Sequence, residues 1–228
     1  MNIRRVVVTG MGTINPLGNN TSETWENMVN GVSGAAPITR FDASNFKTHF
    51  ACEVKNYDPK NYFDRKELRK HDLYSQFAMI SADEAIKDSA IDFNEADRDR
   101  AGVIWGAGIG GLQTFVEEIG SWATGDGQPR FSPFFIPKMI ANIAAGHISI
   151  KHGLRGPNFT TVSACASSTH AIIDAVNYIR LGFTDVMVAG GSEAAIDEAG
   201  VGGFNSMKAI STRNDDPKTA SRPFDKDR

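Results

Sequence analysis

Short apolar runs alternate with amphipathic stretches along the chain, and most runs stop at glycine or a polar turn. Val6 to Thr9 reads as a buried strand. Ser22 to Asn30 has helical spacing, with Thr21 or Ser22 as its cap. Ala51 to Val54 predicts a short strand. Arg65 to Ser89 predicts one long helix, with Leu68, Phe77, Ile80 and Ile86 among its apolar positions. Gly102 to Trp105 predicts a strand ending in a glycine-rich turn. Ile136 to Ile150 predicts a helix with Pro137 in its first turn. Phe159 to Ser163 follows as a strand, Ser167 to Leu181 as a helix, and Val186 to Ala189 as a strand running into Gly190 and Gly191. This alternation predicts an α/β layered fold with a largely parallel sheet. Residues 33 to 73 and 112 to 135 break the rhythm and read as loop-rich insertions over one face of that sheet. From Ser211 the segment STRNDDPKTASRPFDKDR is polar and turn-rich. It reads either as a loose end or as a fold continuing beyond Arg228.

Composition narrows the function classes. The 228 residues are 41% hydrophobic and 22% charged, ordinary values for a globular chain with a sizeable core. A net charge of -3 argues against a nucleic-acid binder and confines any basic surface to a local patch. No apolar run approaches the roughly 20 residues of a membrane span. MNIRRVVVTG reaches glycine too soon for a signal peptide. Two cysteines, Cys52 and Cys165, make neither a disulfide framework nor a metal quartet, which points to a reduced, cytoplasmic protein.

The candidate chemistry centres on TVSACASSTHAI, residues 161 to 172. Cys165 falls where a strand runs into a helix. A helix N-terminus offers unpaired N–H groups and the positive end of the dipole, which stabilise a thiolate and can hold the oxyanion of an attacked carbonyl. Ala164, Ala166, Ser167 and Ser168 leave room for an acyl group. The competing reading is a small buried structural cysteine. A base is missing. His170 lies five residues on, about 140° around a helix and roughly 7.5 Å along it, and so faces away from Cys165. His147 and His152 read as structural or surface groups, and His49 and His71 have no acid at a telling spacing. Gly10-Met-Gly12-Thr-Ile-Asn15 lacks the third glycine of a dinucleotide fingerprint. Gly106-Ala-Gly108-Ile-Gly110-Gly111 lacks the Lys-Ser/Thr of a phosphate loop, and its glycines read as sites of close backbone approach. Arg65, Lys66, Arg69 and Lys70 share much of one helical face, either as a solvated surface or as a docking patch for an acidic partner.

Taken in order, VVVTGMGTINPLGN, GAGIGG, SPFFIPKMIANIAAGHISI, GLRGPN, VSACASSTH, VMVAGGSEA, GVGGFNSMKAISTRND and ASRPFDKDR resemble the amino-terminal half of β-ketoacyl-acyl-carrier-protein synthases, from one end of the chain to the other. GIGG and SPFF resemble the type II, chain-elongating members. The resemblance implies a thiolase-like fold, in which two similar βαβαβαββ halves build a layered αβαβα core and two chains form a homodimer. Residues 1 to 228 would be the first half and the carboxy-terminal half would be absent. Cys165 would be the nucleophile that takes an acyl chain from a carrier thioester, before a decarboxylative Claisen condensation with malonyl-carrier protein. Ile109 would gate the acyl pocket, Phe135 would reach the neighbouring subunit's pocket, and Phe204 would lie beside the site. Arg65, Lys66, Arg69, Arg130 and Lys208 would meet the acidic acyl carrier protein. The resemblance implies no cofactor and no metal. The family's two catalytic histidines, its lysine and its Gly-Phe-Gly loop all lie beyond position 228, so the missing base is expected there. Two further readings stay open: a degradative thiolase, and a non-catalytic scaffold pairing with a separate chain.

Overall fold

The computed structural model describes residues 3–227. In chain order the elements are α1 (Thr21–Val29), β1 (Ala36–Pro37), β2 (Phe50–Ala51), α2 (Arg65–Leu68), α3 (Leu73–Ser89), β3 (Ala101–Gly106), α4 (Leu112–Thr124), α5 (Phe135–Met139), α6 (Ile143–His152), β4 (Asn158–Phe159), α7 (Ser167–Arg180), β5 (Val186–Gly191) and α8 (Glu198–Ser206). They fall into two compact units. One comprises residues up to Thr13 with Asp58–Ala194, the other Ile14–Tyr57 with Ala195 onward.

The first unit is built on a parallel sheet in the order β4-β3-β5. Every residue of β3 is buried. Successive side chains of a strand point to opposite faces, so both faces of β3 must be covered. On one face, Ile104 meets Ala171 and Ala175 of α7, with Phe159, Tyr178, Met187 and Ala189 around them. Helices α3 and α6 pack on each other, and both reach the sheet. The seat of α7 is very close. A Cβ at Gly106 would stand 2.4 Å from the Ser167 carbonyl carbon, and one at Gly191 would stand 2.5 Å from Ser168 Cβ. Only glycines at these strand ends admit the helix.

Several expected elements differ. Val6 to Thr9 is not a strand, and Val7 and Val8 are 58% and 82% exposed. No strand of the described residues runs beside it. Instead the chain just after it lies against α3: Cβ atoms at Gly10 and Gly12 would stand 2.1 and 2.0 Å from the Ala85 and Ser81 carbonyl oxygens. The Met11 and Thr13 amides donate to Asp88 and Glu84. The single helix expected over Arg65–Ser89 is two. Asp64 and Glu67 close a capping box on α2, and Asp72 caps α3. The buried Asp72 carboxylate also accepts from the Thr114 amide at 3.0 Å and the Thr114 hydroxyl at 2.5 Å, which fixes the break by tying it to α4. The helix expected over Ile136–Ile150 likewise divides into α5 and α6, and the Ile140 carbonyl between them accepts both the Tyr74 hydroxyl at 2.6 Å and the Ile143 amide at 3.3 Å. Residues 112 to 124, expected as loop, form α4. The strand expected over Phe159–Ser163 pairs only at Asn158–Phe159.

In the second unit β1 and β2 form a short antiparallel ribbon, so the strand expected over Ala51–Val54 is shifted back to Phe50–Ala51. Helix α1 is capped by Asn20 rather than Thr21 or Ser22. Helix α8 was not legible as an amphipathic pattern in its glycine-rich stretch. The segment after Ser211 is tied down. Thr48 donates to the Ser211 carbonyl at 2.7 Å, and Asn214 bonds the backbone of His49 and Lys47 at 2.9 and 3.0 Å.

The buried His71, just before α3, meets the half-buried His147 of α6. The His71 and His147 rings meet edge to face with centroids 4.2 Å apart, and His71 also lies against Phe63. Among the described residues His71 Nδ1 and His147 Nε2 have no partner. Burial first, then the proximity of His147, Lys70, Lys151 and Lys138, pushes the His71 pKa down to about 4. Unfolding returns it to the ordinary value near 6.5. Between these values the unfolded chain binds the proton that the folded chain refuses. Stability is therefore complete above about pH 6.5 and falls as the pH is lowered toward 4. Relative to His71→Leu, the native chain is expected to lose about 3 kcal/mol more over that window, read from urea midpoints at stepped pH. A second expectation concerns the helix seat. Gly106→Ala should cost about 1–3 kcal/mol by overpacking. Gly120→Ala, inside α4 with nothing within 4 Å, should be neutral or stabilising. Urea unfolding of the two variants separates these outcomes.

Candidate active site

The site forms where the parallel strands end, the usual location for ligands on such sheets. After β4 the chain runs beside β3, where the Ala107 amide donates to the Thr161 carbonyl at 3.3 Å. It then turns abruptly. Ala164 adopts φ 49, a left-handed conformation that residues with a Cβ seldom take. A 3₁₀ turn over Ala164–Ala166 follows and leads into α7. Cys165 is at the centre of that turn and is exposed. The structural-cysteine reading fails here, because the thiol is not in the core.

The turn is held from several sides. The Ser163 amide donates to Ser167 Oγ at 2.8 Å, and the Ser167 hydroxyl donates to the Ala164 carbonyl at 2.7 Å. The Thr161 hydroxyl donates to the Ser167 carbonyl at 2.7 Å, and the Ala166 amide to the Ser163 carbonyl at 3.0 Å. Ser163 Oγ and His170 Nδ1 are 2.7 Å apart. No side chain caps the start of α7. Its first amide, that of Ser167, donates to the Ala164 carbonyl, so the helix continues directly from the 3₁₀ turn, and its positive dipole end favours negative charge beside Cys165.

The glycine-rich turn after β3 has a role that the sequence did not reveal. The Glu193 carboxylate accepts three successive amides, those of Gly108, Ile109 and Gly110, at 2.8, 2.7 and 3.1 Å. The loop is thus an anion-binding nest whose anion belongs to the chain itself. Close approach is also present. A Cβ at Gly108 would stand 2.9 Å from Glu193 and 3.6 Å from Ala164 Cα, and one at Gly111 would stand 2.3 Å from the Lys138 carbonyl. The signal for Glu193 was available only in retrospect, as an acid two residues past a strand end that faces a run of bare amides.

Of the other residues singled out from the sequence, Ile109 lies on this loop and is 47% exposed. Phe135 begins α5, stacked on Phe131 at 5.4 Å and near Phe115 at 6.2 Å. Arg65, Lys66 and Arg69 are exposed on and just after the short α2, and Lys70 follows them. Arg130 is on the loop after α4, paired with Asp126 at 3.2 Å. Phe204 in α8 and Lys208 just after it belong to the second unit, and both are exposed. His152 is engaged by Asp83 at 2.8 Å, and His49 Nε2 lies 2.8 Å from the Phe46 carbonyl. His170 is occupied by Ser163. Among the described residues no three His, Cys, Asp or Glu side chains cluster as a metal site, and no helix is long and apolar enough to cross a membrane.

A reactive-looking cysteine on a left-handed turn at the end of a parallel sheet has clear parallels. The model of the beta-ketoacyl synthase N-terminal domain matches residues 3–227. The 3-oxoacyl-[acyl-carrier-protein] synthase 2 of Coxiella burnetii is 47% identical over the whole chain, which covers 55% of that protein. The protein of the same name from Staphylococcus aureus strain COL is 45% identical over 99% of the chain, covering 54% of it. The chain thus spans about half the length of the curated relatives it matches. A crystal structure of a beta-ketoacyl synthase from Burkholderia phymatum superposes with a TM-score of 0.86 at 28% identity, over 98% of this chain and 55% of that one. The architecture is thiolase-like. On the strength of the match along its length, the chain belongs to the beta-ketoacyl synthase family, within its N-terminal domain.

Proposed function

We propose that the chain supplies the acyl-accepting half of a 3-oxoacyl-carrier-protein synthase of type II, a chain-elongating condensing enzyme of fatty-acid synthesis. The observation that carries this reading is the exposed Cys165 on its left-handed turn at the uncapped start of α7. In the first half-reaction the Cys165 thiolate attacks the thioester carbonyl of an acyl-carrier protein. The new C–S bond forms, the old one breaks, and the carrier leaves as its thiol after taking a proton. The positive dipole end of α7 favours the intermediate oxyanion. Among the described residues no hydrogen bond joins a histidine to Cys165, and His170 Nδ1 is engaged by Ser163. Decarboxylation of malonyl-carrier protein and attack of the carbanion on the acyl-cysteine are assigned to a second half that carries the family's histidine pair and lysine, so residues 1–228 alone accept an acyl chain but do not condense. In the assembled, cytoplasmic enzyme, read as a homodimer, Ile109 and Phe135 of the first unit bound the acyl chain.

The names of the curated relatives include the acyl carrier protein, and a carrier partner is proposed for this chain as well. Arg65, Lys66, Arg69, Arg130 and Lys208 form the proposed docking set. The cluster on and just after α2 is its best-supported part, because Arg65, Lys66 and Arg69 are all exposed there.

Two measurements test this reading. After brief incubation with a long-chain acyl-carrier thioester, intact mass should show one acyl adduct that maps to Cys165, and Cys165→Ala should show none. No condensation product should form on adding malonyl-carrier protein, and turnover by residues 1–228 would sink the division of labour. Reversing charge at Arg65, Lys66 and Arg69 together should weaken carrier binding about tenfold or more at low salt, with the difference shrinking as salt rises.

A further inference from the structure

We propose that His170 is a positioning residue for Cys165, acting through Ser163 to hold the left-handed turn that presents the thiol. The role as a positioner of a nucleophile rests on the reading of Cys165 as acyl acceptor, whereas the contact itself does not. Ala164 has φ 49, so the turn carries a steric penalty that surrounding bonds must offset. Most of those bonds are internal to the turn. Ser167 closes it by accepting from the Ser163 amide and donating to the Ala164 carbonyl, at 2.8 and 2.7 Å. The side chain of Ser163 is the point at which the turn is held from further along α7. Its Oγ lies 2.7 Å from His170 Nδ1, on the fourth residue of that helix. A rigid helix therefore grips the residue two before the cysteine, across the strained position between them.

Two alternatives are weaker. His170 as a general base for Cys165 would have to act through Nε2, and among the described residues no hydrogen bond joins that nitrogen to Cys165. A Ser163–His170 nucleophile pair lacks its orienting acid, because among the described residues no carboxylate bonds the other ring nitrogen. What remains is a small polar clasp of Ser163, Ser167 and His170 around Cys165.

The chain carries its own reference for a test. Cys52 and Cys165 are both exposed, and Cys52 belongs to the other unit. Iodoacetamide alkylation of the two thiols, followed by mass spectrometry of their peptides, gives a rate ratio free of protein concentration and of global unfolding. His170→Ala and Ser163→Ala should each change the Cys165/Cys52 ratio about fivefold, the loss expected for one hydrogen bond. The double variant should match either single one, since both remove the same contact. His170→Asn, which keeps a polar atom near the Nδ1 position, should restore most of the native ratio. An unchanged ratio in either alanine variant, additive effects in the double variant, or no rescue by asparagine would each overturn the proposal. If acyl transfer to Cys165 failed while these ratios shifted as expected, the functional reading would fall and the clasp would stand. If acylation succeeded and the ratios did not move, the clasp alone would fall.

Discussion

The site depends on how closely α7 can approach the ends of β3 and β5. Main-chain atoms of Ser167 sit where a side chain at Gly106 would be, and Ser168 sits where one at Gly191 would be. No packing of larger side chains could hold the helix start so near the sheet, because a backbone-to-Cβ approach below 3 Å has no repulsion-free solution. With the helix start fixed, the link from β4 must cover the remaining distance in a few residues. It does so by the left-handed step at Ala164 and the 3₁₀ turn that follows. Exposure of Cys165 is the geometric consequence, and the small residues flanking it keep that exposure open.

Charge is handled around the same point in a consistent way. The glycine-rich loop after β3 offers three amides and receives the Glu193 carboxylate, so its partial positive charge is neutralised internally. The start of α7 has no side-chain cap; it is entered from the 3₁₀ turn, whose Ala164 carbonyl accepts the Ser167 amide.

Helix breaks in this chain are decided by polar groups reaching in from elsewhere. Asp72 ends what the apolar pattern read as one helix because its carboxylate is completed by Thr114, a residue 42 positions away. Tyr74 donates its hydroxyl to the Ile140 carbonyl at the break between α5 and α6. In both cases the periodicity on either side of the break was read correctly and the continuity was not. Helix α4 was missed for a different reason: Leu112, Phe115, Val116 and Ile119 keep helical spacing, but the surrounding glycines and aromatics looked like an insertion. Val6 to Thr9 failed the other way, since an apolar run implies burial without saying which neighbour provides it.

The sequence by itself determined most of the strand-helix alternation, the place of Cys165 between small residues where a strand meets a helix, and the family, through ordered motifs that run the length of the chain. Those features are local or nearly so: side-chain spacing, turn residues and short motifs report them directly. Tertiary structure alone decided the left-handed step at Ala164, the capture of the 108–110 amides by Glu193, the division of the two long helices and the grip of His170 on Ser163. Each of these joins groups whose meeting depends on strand register and helix seating, and no local pattern carries that information.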